Sequence, residues 1–184
     1  MHYAIAKRIL CYLQGTKKLG ILYKKENDNN LVGFTDSDWI GSLDERKSTS
    51  GYIFFLGSNV IAWSSKKQNT VALSSVEAEY IAAIDVACEA IWLTRLLSDL
   101  QQKIEEPTVI CCDNMSAIAM TKNPIFYTRT KHIEIRHHFI RDLVGEGEIQ
   151  LQFISTNDQP IDVLTKAAIV DKMEWFKKQL KITN

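Results

Sequence analysis

Most of the signals that assign a chain at a glance are missing from this one. No apolar run approaches the ~18 residues that a membrane span requires. The N-terminal stretch is broken by Lys7 and Arg8 and does not lead to a small-residue cleavage site, so it is not a signal peptide. A cytoplasmic or nuclear setting is the expectation. Cysteine is scarce: Cys11, Cys88, Cys111 and Cys112 have no framework spacing and read as reduced thiols, and with the histidines they form no zinc pattern. Net charge is absent as well, with 22 Lys and Arg against 22 Asp and Glu. That excludes a strongly basic nucleic-acid packer while leaving room for a local basic patch. The sequence contains no Gly-rich phosphate loop, no Rossmann fingerprint, no G-x-S-x-G elbow and no H-E-x-x-H pair.

What is present is an ordinary globular composition. The 184 residues are 46% apolar and 24% charged, enough for one domain with a real core and a short appendage. Residues 2–14 place Ile5, Ile9 and Leu13 on one stripe, predicting a short amphipathic helix that Gly15 ends. Strands are predicted at 19–24 and 31–36, and a hairpin at 51–56 and 60–65 around the turn Gly57-Ser58-Asn59. Ser74 and Glu77 form a capping box opening a long helix to about residue 100, apolar nearly all round and therefore central. A strand at 107–112, a short helix at 116–120, a basic helix at 131–144, a strand at 148–154 and short helices at 161–166 and 173–180 complete the order. Three early strands with short turns, then alternating helix and strand, predict a mixed α/β sheet. Residues 1–30 read as an N-terminal appendage of one helix and one strand, and residues 31–184 as the domain.

The candidate chemistry lies in acids at the ends of apolar elements. Asp36 closes the first core-type strand, Asp113 follows Val109-Ile110-Cys111-Cys112, and Asp162 opens a short helix after Pro160. Glu79 heads a helical stripe through Ala83, Val86, Ala90, Leu93 and Leu97. A carboxylate continuing an apolar stripe is costly if buried unpaired, and several converging carboxylates suit Mg²⁺ or Mn²⁺. Acids also favour first helical turns for the sake of the helix dipole alone. Glu77 leads its own stripe through Ile84, Cys88 and Ile91, and periodicity does not choose between it and Glu79.

At these residues a family resemblance becomes specific. The runs Asp36-Ser37-Asp38-Trp39, Arg46-Lys47-Ser48-Thr49-Ser50-Gly51-Tyr52 and Trp63-Ser64-Ser65-Lys66-Lys67-Gln68 resemble the ribonuclease H region of copia-type LTR retrotransposon polyproteins. So do Ala72 to Tyr80, Cys112-Asp113-Asn114, Thr130-Lys131-His132-Ile133, His138-Phe139-Ile140-Arg141 and Asp162-Val163-Leu164-Thr165-Lys166. These motifs fall in family order across residues 31–166. Residues 4–24 resemble the connection that follows the reverse transcriptase.

The resemblance implies a ribonuclease H-like fold, a mixed five-stranded sheet flanked by helices, that cleaves the RNA strand of RNA–DNA hybrids. It carries the family's catalytic and metal-binding set onto Asp36, Glu79, Asp113 and Asp162, where two Mg²⁺ or Mn²⁺ ions would be held. Glu79 is chosen over Glu77 by the register of Ala78-Glu79-Tyr80-Ile81-Ala82-Ala83. Contacts to nucleic acid are expected from Arg46, Lys47, Lys66, Lys67, Ser74, Ser75, Lys131, His132 and Arg136. The segment from Ser155 to Ile161 lacks the mobile histidine usual in cellular ribonucleases H, leaving proton delivery to another residue such as His132. Trp39, Trp63, Trp92 and Trp175 read as core or half-buried anchors rather than base-stacking platforms. The family's Leu-Thr-Lys-Pro ending appears here as Leu164-Thr165-Lys166-Ala167. A full polyprotein of this kind would also carry reverse transcriptase and integrase regions, which are absent from this sequence. The competing expectation is a non-catalytic relic, or a binding or host-interaction module that keeps the fold.

Overall fold

The computed structural model describes residues 2–25, 28–41, 45–122 and 131–183, with side chains from 138 onward in the last stretch. In chain order the elements are α1 (His2–Thr16), β1 (Gly20–Ile21), β2 (Leu31–Asp38), β3 (Thr49–Leu56), β4 (Asn59–Lys67) and α2 (Ser75–Asp99). Then come β5 (Thr108–Cys112), α3 (Met115–Lys122), α4 (Lys131–Gly145), β6 (Ile149–Phe153), α5 (Asp162–Thr165), α6 (Val170–Gln179) and β7 (Ile182–Thr183). The main sheet has the order β4-β3-β2-β5-β6. β2, β3 and β4 pair antiparallel, whereas β5 joins β2, and β6 joins β5, in parallel. This is the mixed sheet expected from the order of hairpin first and alternating helix and strand later.

Strand β2 is central and nearly continuously buried, as a strand covered on both faces must be. The β3–β4 hairpin turns on Gly57, whose φ of +58° is open to glycine at little cost, so Asn59 already belongs to β4 instead of the turn. Ser74 caps α2 by accepting the Glu77 N–H at 3.1 Å, while Glu77 Oε2 accepts the Leu73 N–H at 2.7 Å. Glu77 is thereby spent on the helix end. Behind it, Ala78, Ala82, Ala83, Ala87 and Ala90 are buried, and their small side chains let α2 lie close on the sheet against Phe54 and Ile110. A second apolar cluster of Ile53, Val60, Ile161, Phe176 and Leu180 brings α5 and α6 onto another part of the sheet.

The N-terminal strand predicted at 19–24 is reduced to two residues, and β1 pairs antiparallel with β7, a strand with no periodic signal of its own. Helix α1 has no buried residue. No helix among the described residues is long and apolar enough to cross a membrane. Trp39, Trp63 and Trp92 lie 44–56% exposed, so these three are surface residues rather than core anchors. Trp175 is half-buried with the Lys172 ammonium 5.1 Å from its ring centre.

The approach of α5 to the sheet depends on one glycine. Gly51 pairs with Asp36 across β3 and β2, and a methyl group on it would lie 2.8 Å from Thr165 Cγ2 and 3.3 Å from Ile161 Cγ1. Gly51→Ala is therefore expected to push α5 outward and cost about 1–3 kcal/mol, the usual range for overpacking. A urea titration checks this. An unchanged midpoint would show that α5 yields freely.

Candidate functional site

Parallel pairing between β2 and β5 sets the site. Thr35 pairs with Cys112, so the next residues stand side by side: Asp36, which β2 overruns by two residues instead of ending on it, and Asp113, just past the carboxyl end of β5. Such ends are where open α/β sheets carry their sites. Glu79, in the second turn of α2, reaches the same place: its Oε1 accepts the Ser37 backbone N–H at 3.1 Å. Asp162 enters from the first turn of α5 and is joined to Asp36 through a shared lysine. Four segments far apart in sequence thus bring together the four acids singled out from the sequence. Glu77 stays outside this group, in its cap.

The surroundings are short of charge compensation. Asp36 is fully buried and Glu79 is 6% exposed, and among the described residues nothing donates a hydrogen bond to Glu79 Oε2. Burial above all, then the Asp36 and Asp113 charges, pushes the Glu79 carboxyl up to about 9, against the opposing Ser37 N–H and Lys166. Asp113 is raised too, chiefly by desolvation, although Thr156 Oγ1 donates to its Oδ2 at 2.9 Å. Asp36 Oδ2 accepts a hydrogen bond from the Thr165 hydroxyl. Lys166 Nζ lies 3.2 Å from Asp36 Oδ1 and 3.2 Å from Asp162 Oδ1, and Lys172 Nζ lies 3.4 Å from Asp162 Oδ2. Partial burial works against the Lys166 charge, yet the two carboxylates hold its ammonium above the usual lysine range.

A divalent ion fits the part of this donor set around Glu79 and Asp113. Ligand atoms of Glu79, Cys112 and Asp113 lie within 4.8 Å of one another, a group that Asp36 and Asp162 are not close enough to join. Burial, joined by the nearby acids, pushes the Cys112 thiol up to about 12, and its sulfur accepts the Asn114 N–H at 3.4 Å. That sulfur already accepts a backbone N–H, and Glu79 and Asp113 offer hard carboxylate oxygens beside it. Oxygen-only donors select Mg²⁺ or Mn²⁺ over softer metals. The orphaned Glu79 oxygen is the kind of buried, unpartnered acceptor that an ion would satisfy.

The basic residues expected at nucleic acid divide into three groups. The row Ser37–Ser50–Lys66 crosses β2, β3 and β4, putting Lys66 on the order of 10 Å from Ser37 at strand spacing, at the same sheet end as the acids. Lys66 Nζ pairs with Asp85 at 3.4 Å and Lys67 Nζ with Glu45 at 3.3 Å, in both cases at the surface. Arg46 is exposed in a positive-φ conformation, Lys47 is half-buried, and Ser74 and Ser75 form the exposed start of α2. The side chains of Lys131, His132 and Arg136, at the start of α4, lie outside the described residues.

Sequence reasoning gave no role to Thr156, Thr165, Lys172 or Gln68. The last is buried and donates from Nε2 to Ser50 Oγ at 2.7 Å and to the Ala78 carbonyl at 2.9 Å, tying the end of β4 to the backbone that carries Glu79. Only the Asp162–Lys166 contact had a local signal, the i,i+4 spacing of opposite charges.

No protein-family model matches the sequence. It is 42% identical over 182 residues to the retrovirus-related Pol polyprotein from transposon RE1 of Arabidopsis thaliana, a match covering 99% of this chain and 12% of the polyprotein. Against the Pol polyprotein from transposon RE2 of the same plant it is 44% identical over 181 residues, covering 98% of this chain and again 12% of the relative. The chain thus spans about an eighth of the length of these relatives. Its fold superposes on the N-terminal RNase H domain of rv2228c from Mycobacterium tuberculosis with a TM-score of 0.53 at 13% identity, covering 81% of this chain and 96% of that one. With the foamy viral protease–reverse transcriptase, solved in complex with dsDNA, the TM-score is 0.57 at 15% identity, over 84% of this chain and 29% of that one.

Proposed function

We propose, for a chain that has the ribonuclease H fold and matches copia-type Pol polyproteins over nearly its whole length, that it hydrolyses the RNA strand of RNA–DNA hybrids in a divalent-metal-dependent reaction. The observation that carries this reading is the convergence of Asp36, Glu79, Asp113 and Asp162 near the carboxyl ends of β2 and β5, with one buried carboxylate oxygen left unsatisfied. These four residues would hold two Mg²⁺ or Mn²⁺ ions. When bound, such ions polarise the scissile phosphate and supply a hydroxide-like nucleophile.

The other residues prepare the ligands. The Ser37 N–H fixes Glu79, Gln68 ties down the Ala78 backbone beside it, the Thr156 hydroxyl orients Asp113, and the Thr165 hydroxyl orients Asp36. Such partners set ligand direction, and their loss commonly costs about 10–100-fold in metal affinity or activity. Discrimination in favour of RNA would come from contacts to the 2′-hydroxyls. The test is incubation of the purified chain with a strand-labelled hybrid, a DNA duplex and single-stranded RNA, with and without Mg²⁺. Cutting confined to the RNA strand of the hybrid and dependent on the ion supports the proposal. A folded protein that binds hybrid and cuts nothing would instead be a non-catalytic module.

Because the chain has no net charge, hybrid affinity must be local, from Lys66 and Lys67 at the site's end of the sheet and from the start of α4. Replacing Lys66 and Lys67 together with Ala is expected to weaken binding and flatten the slope of log affinity against log salt by about 1–2, the contribution of one or two phosphate contacts. Fluorescence anisotropy over a salt series measures this. An unchanged slope would leave these lysines with only their Asp85 and Glu45 partners.

A further inference from the structure

The four carboxylates are not compensated alike. Glu79 and Asp113 are held by neutral donors, a backbone N–H and a hydroxyl. Asp36 and Asp162 are held by an ammonium, Lys166 Nζ, at 3.2 Å from an oxygen of each. Those two oxygens are therefore bridged by a cation already. The chain's own charge stands where, on the reading above, a metal ion would need the same lone pairs.

The bridge is built for release at one end only. Asp36 has 1% of its side-chain surface exposed, while Lys166 has 40% of its own. Lys166 follows α5 at its C-terminal cap, where the backbone has already left the helix for an extended conformation at φ −124° and ψ 158°. Asp162 keeps a second cation, Lys172, on its other oxygen. An ion binding Asp36 Oδ1 at the 2.0–2.1 Å distance typical of Mg²⁺ would face the ammonium across one oxygen, and like charges that close cannot both stay.

We propose that Lys166 is a resident counter-ion of the acidic cluster, and that divalent metal binds between Asp36 and Asp162 by exchange, expelling the lysine toward solvent. This rests on the metal-binding reading above and extends it to a residue with no assigned role. Lys166 keeps Asp36 and Asp162 together when no metal is bound, and it lowers the apparent metal affinity by the work of its own displacement.

Isothermal titration of the whole chain with MgCl₂, for wild type, Lys166→Gln and Lys166→Arg, tests the exchange. Lys166→Gln is expected to bind Mg²⁺ about 10-fold more tightly or better, the scale on which one adjacent charge shifts a carboxylate's occupancy. Its metal-free melting temperature should fall. Lys166→Arg keeps the charge and should stay near wild type in both. A purely structural lysine would give equal or weaker Mg²⁺ binding on removal, and that result overturns the proposal. Should Lys166→Gln fail to fold, acylation of Lys166 in the wild type, read by mass spectrometry, decides instead. Labelling should rise on adding Mg²⁺, and labelling that is unmoved or suppressed contradicts the exchange. A wild type that binds no divalent ion would bring down both readings. A wild type that binds, with the variant no tighter, brings down only this one.

Discussion

Asp113→Asn is expected to reduce Mg²⁺-dependent hybrid cleavage by more than ~100-fold, because a lost ligand removes several kcal/mol of charge stabilisation at the reacting phosphate. The substitution keeps the side chain's shape and leaves an oxygen able to accept from Thr156. Without metal, the same change should hold or raise the melting temperature. Asp113 is disfavoured as an anion, first by desolvation and also by Asp36 and Asp162, and the neutral amide relieves that repulsion. Activity lost while stability is kept marks a site that carries strain for function. Cleavage rates and metal-free melting curves, measured side by side, check both halves. Undiminished cleavage would remove Asp113 from the reaction.

The second large effect concerns Glu79 and pH. Its folded carboxyl is raised from 4.5 to about 9, so the native state holds a proton that the unfolded chain releases across that interval. Native protein then binds more protons than unfolded protein, and metal-free stability must fall as pH rises from about 4.5 to about 9. Below the window the group contributes no penalty; above it the penalty is complete. At about 1.36 kcal/mol per unit, the loss can reach several kcal/mol. Glu79→Gln removes the titration. Its advantage over wild type should therefore be small near pH 5 and grow steadily toward pH 9. Saturating Mg²⁺ should reverse the order at neutral pH, since only the wild type supplies the full anion. Chemical denaturation across this range is the measurement, and parallel curves for the two proteins would show that Glu79 ionises as freely folded as unfolded.

The sheet was readable because β3 and β4 announce themselves by a glycine turn between two β-rich runs, and β2 by its apolar run, although ten residues separate β2 from β3. The long central helix was readable from Ser74 and Glu77 at its start and from its apolar surface. Short elements were less so. β1 and β7 exist because Gly20 pairs with Thr183 and Ile21 with Ile182, a contact between chain ends that no local pattern encodes. Tryptophan burial was misjudged for a related reason: whether Trp39, Trp63 or Trp92 is covered depends on which elements pack above it. For the site, periodicity left Glu77 and Glu79 equal. The structure separates them by giving Glu77 to the Leu73 N–H and turning Glu79 toward Ser37. The partners that reach across the fold, Thr156 to Asp113 and Thr165 and Lys166 to Asp36, come from distant segments, and only tertiary structure brings them within hydrogen-bond reach.

The central claim is that these four carboxylates hold divalent metal. A crystal of the chain soaked in MnCl₂, with data collected for the anomalous signal of manganese, tests it directly. The account predicts anomalous density among the Asp36, Glu79, Asp113 and Asp162 carboxylates, with Glu79 Oε2 turned to the ion and the Lys166 ammonium withdrawn from Asp36. Anomalous density elsewhere, or none at saturating Mn²⁺ with Lys166 still bridging Asp36 and Asp162, would contradict it.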